Sequence, residues 1–448
     1  MSLINMDVLR RSLEGIIPSV LATCDLENVP NVSLISQVHY VDCDHVALSY
    51  QFFNKTRQNL LATGSASVVV IDPVTMMQHR LSLDYVETRT EGPIFESMKA
   101  RLAGIASHAG MADVFKLLGS DLFRVREIEQ VPAQCRPEPY PERDLLLALR
   151  LTCRELSAVV ELGTLLDRAL DCLERYFGIA RSMALMLDPD AARLFTLASH
   201  GYSPSGIGSE VLLGEGVIGV AARQDTAIRI GHMTREYGYG EAVRNAAIRS
   251  GLDWQRATEI TFPGLAEPAS QIAVPIRSPT RLIGVLFCES EQSFRFWHDD
   301  ETALSILADH LGALIELLPD RAGTADPPII LPRPGGENRV VIRHFAQDDS
   351  IFLGNDYLIK GVAGAILLRL VRERIATGRD EFTTRELRLD PSLRLPDNAE
   401  NLDARLVLLR KRLEEREACL RIEKSGRGRF RLCTASPLVL QSIAGTPG

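Results

Sequence analysis

The chain has 448 residues, 46% of them hydrophobic and 24% charged, with a formal net charge of -8. That composition excludes a disordered polymer, and at roughly 150 residues per domain it predicts about three domains. The best apolar run, "GVAGAILLRLV", is interrupted by Arg369 and falls short of the ~20 residues a membrane helix needs.

The start, "MSLINMDVLRRSLEGIIPSVLATC", has arginines inside its apolar pattern and no cleavage-site signature, so it does not read as a signal peptide. A cytoplasmic protein with no membrane partner is expected. The eight cysteines form no C-x-x-C pair, and His200 and His232 lack local partners, so no zinc site is expected. Two Pro-rich stretches, "VPAQCRPEPYPERD" and "LPDRAGTADPPIILPRPGGEN", read as linkers. They divide the chain into a module at 1–131, a linker at 132–144, a module at 145–318, a linker at 319–338 and a module at 339–436.

The first block alternates like strands: "PSVLATCD", "NVPNVSLISQVHYVD", "DHVALSYQ", "ASVVVIDP" and "HRLSLDYVETRTEG". Turn signals separate them, which predicts a small barrel or sandwich. "FNKTRQNLLATGS" interrupts the strands with a short helix, and "GPIFESMKARLAGIASH" adds a later helical stretch. This order resembles the flavin-binding split barrel of the pyridoxamine phosphate oxidase family. The telling segment is "SYQFFNKTRQNL", where a strand ends in a Lys-Thr-Arg cluster that opens a helix. The resemblance implies that Lys55, Thr56 and Arg57 grip the phosphate of FMN, since cations, a hydroxyl and free helix amides suit a dianion. It places Ser36 and Gln37 near the flavin ring and Tyr50 and Gln51 beside it. His79 and Arg80 are weaker candidates for a second phosphate contact or a haem ligand, haem being the alternative cofactor. No strong substrate-specific acid or base stands out, which points to a sensor over an efficient oxidase.

The middle block opens with two amphipathic helical patterns in "LLLALRLTCRELSAVVELGTLLDRALDCLERYFG". Strands follow in "RSMALMLDPD" and "RLFTLASHGY". Then come "GEGVIGVAARQDTAIRI", "IAVPIRSPTRLIGVLFCES" and "FWHDDETALSILADHLGALIEL". These segments resemble, in order, the glycine-bounded helix and return strand, the central hairpin and the closing helix of a GAF domain. Gly214 and Gly216 permit a tight turn, and Gly219 lets the helix lie close to the sheet. The resemblance implies an α/β/α sandwich that senses an unknown small molecule. Tyr237, Tyr239, Arg244, Trp254 and Phe262 are the residues expected to line its pocket, or else to fill its core. No residue set for chromophore attachment or cyclic-nucleotide turnover is evident.

The last block reads as short strands ("VVIRHF", "SIFLGND"), then one helix over "YLIKGVAGAILLRLVRERIATGRD" that ends near Gly378. Thr383 and Glu386 at capping-box spacing start a second helix. A third, "NAENLDARLVLLRKRLEEREA", carries Leu402, Leu406, Leu409 and Leu413 as its core stripe. "CLRIEKSGRGRFRLC" closes as a hairpin. This order resembles the winged helix of response-regulator effector domains. In that family the last helix enters the major groove of double-stranded DNA and the wing reaches the neighbouring backbone. Residues 403–431 hold ten basic side chains against five acidic ones, a salt-sensitive phosphate-binding stripe. Arg405, Arg410, Lys411, Arg412 and Arg416 are the helix candidates, with Arg405 and Arg412 on one face away from the leucines. Arg427 and Arg429 are the wing candidates. Glu414, Glu415 and Glu417 leave open a solvated helix with internal ion pairs.

The expected whole is a multidomain α+β protein: split β-barrel, GAF sandwich, winged helix-turn-helix. Its expected role is a homodimeric, cofactor- or ligand-responsive transcription regulator. A flavin-dependent oxidoreductase and a non-catalytic dimeric scaffold are the alternatives.

Overall fold

The computed structural model describes residues 6–13, 17–35, 38–50, 54–92, 94–95, 97–99, 117–137, 143–231, 260–321, 339–393, 399–416, 420–426, 428–434 and 436–443.

In the first module, alternation of apolar and polar residues produces strands β1 (Ser19–Cys24), β2 (Pro30–Ile35), β3 (Val38–Tyr40), β4 (His45–Tyr50), β5 (Ser65–Ile71), β6 (Gln78–Arg89) and β7 (Gly119–Val131). They form one curled antiparallel sheet in the order β2-β1-β5-β6-β7-β4-β3. Its inward face buries Leu21, Val46, Val68, Leu81 and Phe123. The sequence expectation omitted β7, the strand that joins the two halves by pairing with both β6 and β4. Helix α1 (Lys55–Thr63) starts at Asn54, whose side chain accepts from the Arg57 amide, and stops at Gly64 in the left-handed region.

The middle module has two leading helices, α2 (Leu145–Leu156) and α3 (Leu162–Phe177). Strands β8 (Ser182–Asp188), β9 (Arg193–His200) and β10 (Glu210–Leu212) precede helix α4 (Gly216–Gln224). Strands β11 (Ile228–Ile230), β12 (Ser270–Arg277) and β13 (Leu282–Ser290) precede the long α5 (His298–Arg321). The sheet order is β10-β9-β8-β13-β12-β11. Strands covered on both faces read as continuous apolar runs, and side chains still alternate between two cores. Ala184 and Met186 face α2, α3 and α5, while Met183 and Leu185 face α4. Gly219 has the role expected of it: a Cβ there would lie 2.1 Å from the Leu212 carbonyl.

The last module comprises β14 (Val340–Phe345), β15 (Ser350–Leu353), β16 (Asp356–Ile359), α6 (Gly361–Thr377), β17 (Glu381–Thr383), α7 (Thr384–Arg388) and α8 (Ala399–Glu415). Strands β18 (Leu420–Gly426), β19 (Arg429–Thr434) and β20 (Leu438–Ile443) complete it. Two sheets result, β16-β15-β14-β20 and β17-β19-β18. Tyr357, Leu358 and Ile359 belong to a strand paired with β15 rather than to the expected helix. β20 lies beyond position 436 and pairs in parallel with β14. The Thr383 hydroxyl does cap α7, accepting from the Glu386 amide at 3.1 Å. The Glu386 carboxylate turns instead to Arg379, at 2.7 Å.

One ion-paired carboxylate fastens α2 to α3. Glu155 accepts from the Tyr176 hydroxyl at 2.5 Å, Arg175 at 3.0 Å and Arg168 at 3.3 Å. The Tyr176 hydrogen bond first, with the two arginines, outweighs the opposing effect of burial and holds the carboxyl at about 2 against an ordinary 4.5. A depressed carboxylate stabilises the fold above its unfolded value and loses that contribution as pH falls through its folded value. The stability difference between wild type and Glu155→Gln should therefore be constant above pH 4.5 and vanish as pH approaches 2. Thermal unfolding across that range measures it. A pH-independent difference would contradict the tie.

Candidate functional site

Three places gather chemistry-bearing side chains: a cavity in the first module, a polar cluster in the middle module, and the seam between the middle and last modules.

The first-module cavity has a volume of about 220 Å³ and is lined by Ser33, Tyr50, Asn54, Thr56, Arg57 and Asp121, among others. The Lys-Thr-Arg cluster does not converge as expected. Arg57 donates to the Asp121 carboxylate through Nη1 and to Thr88 Oγ1 through Nη2 at 3.0 Å, and its guanidinium stacks 3.6 Å above the Tyr50 ring. Thr56 accepts from Asn31 at 2.9 Å and donates to Ser33 at 3.2 Å. Lys55 is exposed, 4.0 Å from Asp25. Asn54 already holds a helix amide. A carboxylate thus neutralises Arg57, the one cation among the described residues that line the cavity, so these residues do not fit a flavin phosphate. Asp121 comes from β7, 64 residues from Arg57. Arg80 pairs with Glu129 on the exposed face, and His79 is buried between strands; neither lines the cavity. Burial pulls the His79 imidazole below its ordinary value despite nearby Asp72. Ser36, Gln37 and Gln51 lie outside the described residues. In the exposed turn before β4, Asp42, Asp44 and His45 approach one another closely, with His45 Nδ1 2.9 Å from Asp42 and 3.0 Å from Asp44.

In the middle module, Phe262 packs on Phe287 at 6.2 Å between ring centroids; Tyr237, Tyr239, Arg244 and Trp254 lie outside the described residues. The same face holds a group the sequence expectation missed. Glu289 is 1% exposed and accepts from Tyr202 Oη at 2.9 Å, the Leu265 amide at 2.7 Å and Gln271 Nε2 at 3.0 Å. Burial, then the Glu289 charge, pushes the Tyr202 phenol far up. The available signal was a lone Glu ending the apolar run "LIGVLFCES".

The seam departs most from expectation. One continuous apolar core runs through the middle and last modules. Arg405 and Arg412, expected on an open face, are 6% and 5% exposed, and Lys411 is 9% exposed. Arg405 pairs with Asp188 at the end of β8 and sits 4.0 Å over the Phe195 ring on β9. Arg410 donates to Glu161 at 2.7 Å, and Lys411 to Asp167 at 2.5 Å. Arg412 donates to the Leu358 carbonyl at 3.1 Å and pairs with Glu415 at 2.8 Å. The reason is the composition of α8: Ala404, Val407 and Leu408 are buried along with Leu402, Leu409 and Leu413, so the helix is covered around most of its circumference. Arg416 and Arg429 remain exposed, and Arg427 lies outside the described residues.

The family model described as "GAF domain" matches residues 160–316, so the middle module is a GAF domain. No curated protein matches the chain. Similar solved structures include the GAF domain of an Acinetobacter phosphoenolpyruvate-protein phosphotransferase, at 19% identity over 38% of this chain and 92% of that one, with a TM-score of 0.30. An FMN-binding protein from Syntrophomonas wolfei is 23% identical over 28% of this chain and 84% of that one, with a TM-score of 0.24. A free methionine-R-sulfoxide reductase from Neisseria meningitidis is 19% identical over 41% and 98%, with a TM-score of 0.31. Among the described residues, no helix is long and apolar enough to cross a membrane.

The Arg57–Asp121 pair has a direct consequence for ligand choice. Wild-type protein should bind FMN no better than riboflavin, because among the described residues lining the cavity the one cation, Arg57, is already paired. Asp121→Asn frees Arg57 and should favour FMN by about tenfold, the size of one charge-assisted contact of about 1.4 kcal/mol. Flavin fluorescence quenching measures both. A wild-type preference for FMN would contradict the neutralised cradle.

Proposed function

We propose that the chain is a ligand-gated transcription regulator whose GAF domain holds the DNA-contacting helix of a C-terminal winged helix. The observation that carries this reading is the distribution of cations in the last module. In the hairpin, buried Leu420, Ile422, Phe430 and Leu432 alternate with exposed Arg421, Lys424, Arg429 and Arg431. Beside it, the Arg405, Arg410 and Lys411 charges of α8 are met by carboxylates of another module. Basic side chains paired across a removable surface suit a phosphate-binding helix kept in reserve. The element order from α6 to β19 supports the winged-helix assignment.

Exposed apolar side chains support association with a second copy. Val32 and Leu34 project from β2, the outer strand of the first sheet, and Leu146 and Leu147 project from α2. A dimer would read two half-sites. In this reading the first module contributes pairing and a small cavity, and FMN or haem is not required for DNA contact. Among the described residues nothing favours the oxidoreductase alternative.

The test is binding to a mixed-sequence DNA duplex, followed by fluorescence anisotropy across a salt series. Wild type should bind with an affinity that falls as salt rises. Arg421→Ala combined with Arg429→Ala should reduce the slope of log affinity against log salt by about 2, roughly one per lost phosphate contact. No binding at low salt, or an unchanged slope, would sink the proposal.

A further inference from the structure

The seam encloses a cavity of about 320 Å³ walled by both modules. The GAF domain supplies Leu162, Ile315 and Leu318, and the last module supplies Leu406, Ile422 and Phe430. That volume is at the lower end of small-molecule sites, which combine apolar walls with a few convergent polar groups. Here the polar groups carry charge. Arg388, Arg410, Lys424 and Arg429 line the cavity against two carboxylates, Glu161 and Asp403.

Both carboxylates already have cations. Glu161 accepts from Arg410 at 2.7 Å, and Asp403 is 3.6 Å from Arg388. Lys424 and Arg429 form no ion pair among the described residues. The Lys424 charge acts on both Glu161 and Asp403. Burial raises the Asp403 carboxyl, against the pull of Arg388 and Lys424. The surplus is positive and lies at the rim of an apolar hollow.

We propose that this cavity is an effector site for a small monocarboxylate with a flat or short apolar body, its carboxylate held by Lys424 and Arg429. Because the walls come from both modules, the occupied cavity buries ligand surface only while they are docked. The ligand therefore binds the docked arrangement better than a separated one and shifts the population towards it. By linkage, DNA that draws α8 away lowers the affinity for the ligand by the same factor. Only this consequence rests on the DNA-binding reading; occupancy of the cavity does not.

The probe is phenylacetate, with phenylacetamide as its uncharged counterpart and cyclohexane carboxylate as a second acid, titrated calorimetrically into the full-length protein. Both acids should bind with a Kd below about 1 mM and the amide at least tenfold more weakly. Lys424→Ala with Arg429→Ala should weaken the acids about tenfold while leaving the thermal unfolding midpoint in place. Leu406→Phe, which narrows the hollow and keeps every cation, should weaken binding of both acids. Absence of heat with both acids overturns the site, and so does binding that neither Leu406→Phe nor the Lys424→Ala, Arg429→Ala pair weakens. Acid binding that responds to these variants in a protein that ignores duplex DNA would retain the site and discard the DNA-binding reading. Duplex binding by a protein that ignores both acids would do the reverse.

Discussion

A guanidinium withdrawn from water dictates how two of the three modules meet. Arg405 is buried in the seam, where Asp188 supplies a counter-charge and Phe195 a ring face. Taking such an ion out of water costs several kcal/mol, and removing its partner typically destabilises by about 3–5 kcal/mol. Such a pair does not favour the folded state in general; it penalises every arrangement in which Arg405 stays buried without Asp188. The remaining contacts follow from that register. Arg410 and Lys411, about one and a half turns further along α8, reach Glu161 beside α3 and Asp167 on it. Lys360 reaches Glu210 from the other side. The positive helix thus lies on a patch of carboxylates, an arrangement whose electrostatics resemble those of a helix lying on phosphates.

That seam joins the two functional readings. In the proposed reading, a GAF face that competes for the cations of α8 makes DNA contact conditional on leaving it, and the hollow beside the contact gives a small molecule a place to influence the choice. The distances involved are those of direct side-chain contact, so no relay through the fold is needed. The hairpin is differently placed: its cations stay exposed while α8 is docked. In the proposed reading it meets a phosphate backbone first, before the helix is released.

Local patterns were legible in the sequence and long-range pairings were not. The strands β8, β12 and β13, the close approach at Gly219 and the cap at Thr383 all arise from residues within a few positions of each other. The basic hairpin read correctly for the same reason. Strand β7 was missed because its outer half, "VREIEQV", carries charges that mask the alternation. β16 was absorbed into the next helix because "YLI" suits either state, and only its pairing with β15 decides. The site residues failed at the same boundary. "NKTR" looked like an anion cradle until Asp121 arrived from 64 residues away. Arg405 looked free until Asp188, 217 residues distant, met it. Periodicity reports which face of a helix is apolar, but it does not report that a charged face will be covered by another module.

The docking itself can be tested without altering any charge. Gly163 lies at the start of α3, and a Cβ there would meet both the Val407 side chain and the Arg410 guanidinium at 3.1 Å. Its backbone is ordinary helix, so a larger side chain costs nothing in conformation and acts only as a wedge against α8. The direct measurement is the duplex-DNA affinity of Gly163→Leu beside wild type at one salt concentration. The account predicts tighter binding by the variant, since the wedge lifts α8 from the GAF domain and leaves every DNA-facing cation intact. Equal or weaker binding, with the variant folded, would contradict the claim that the GAF domain restrains the helix.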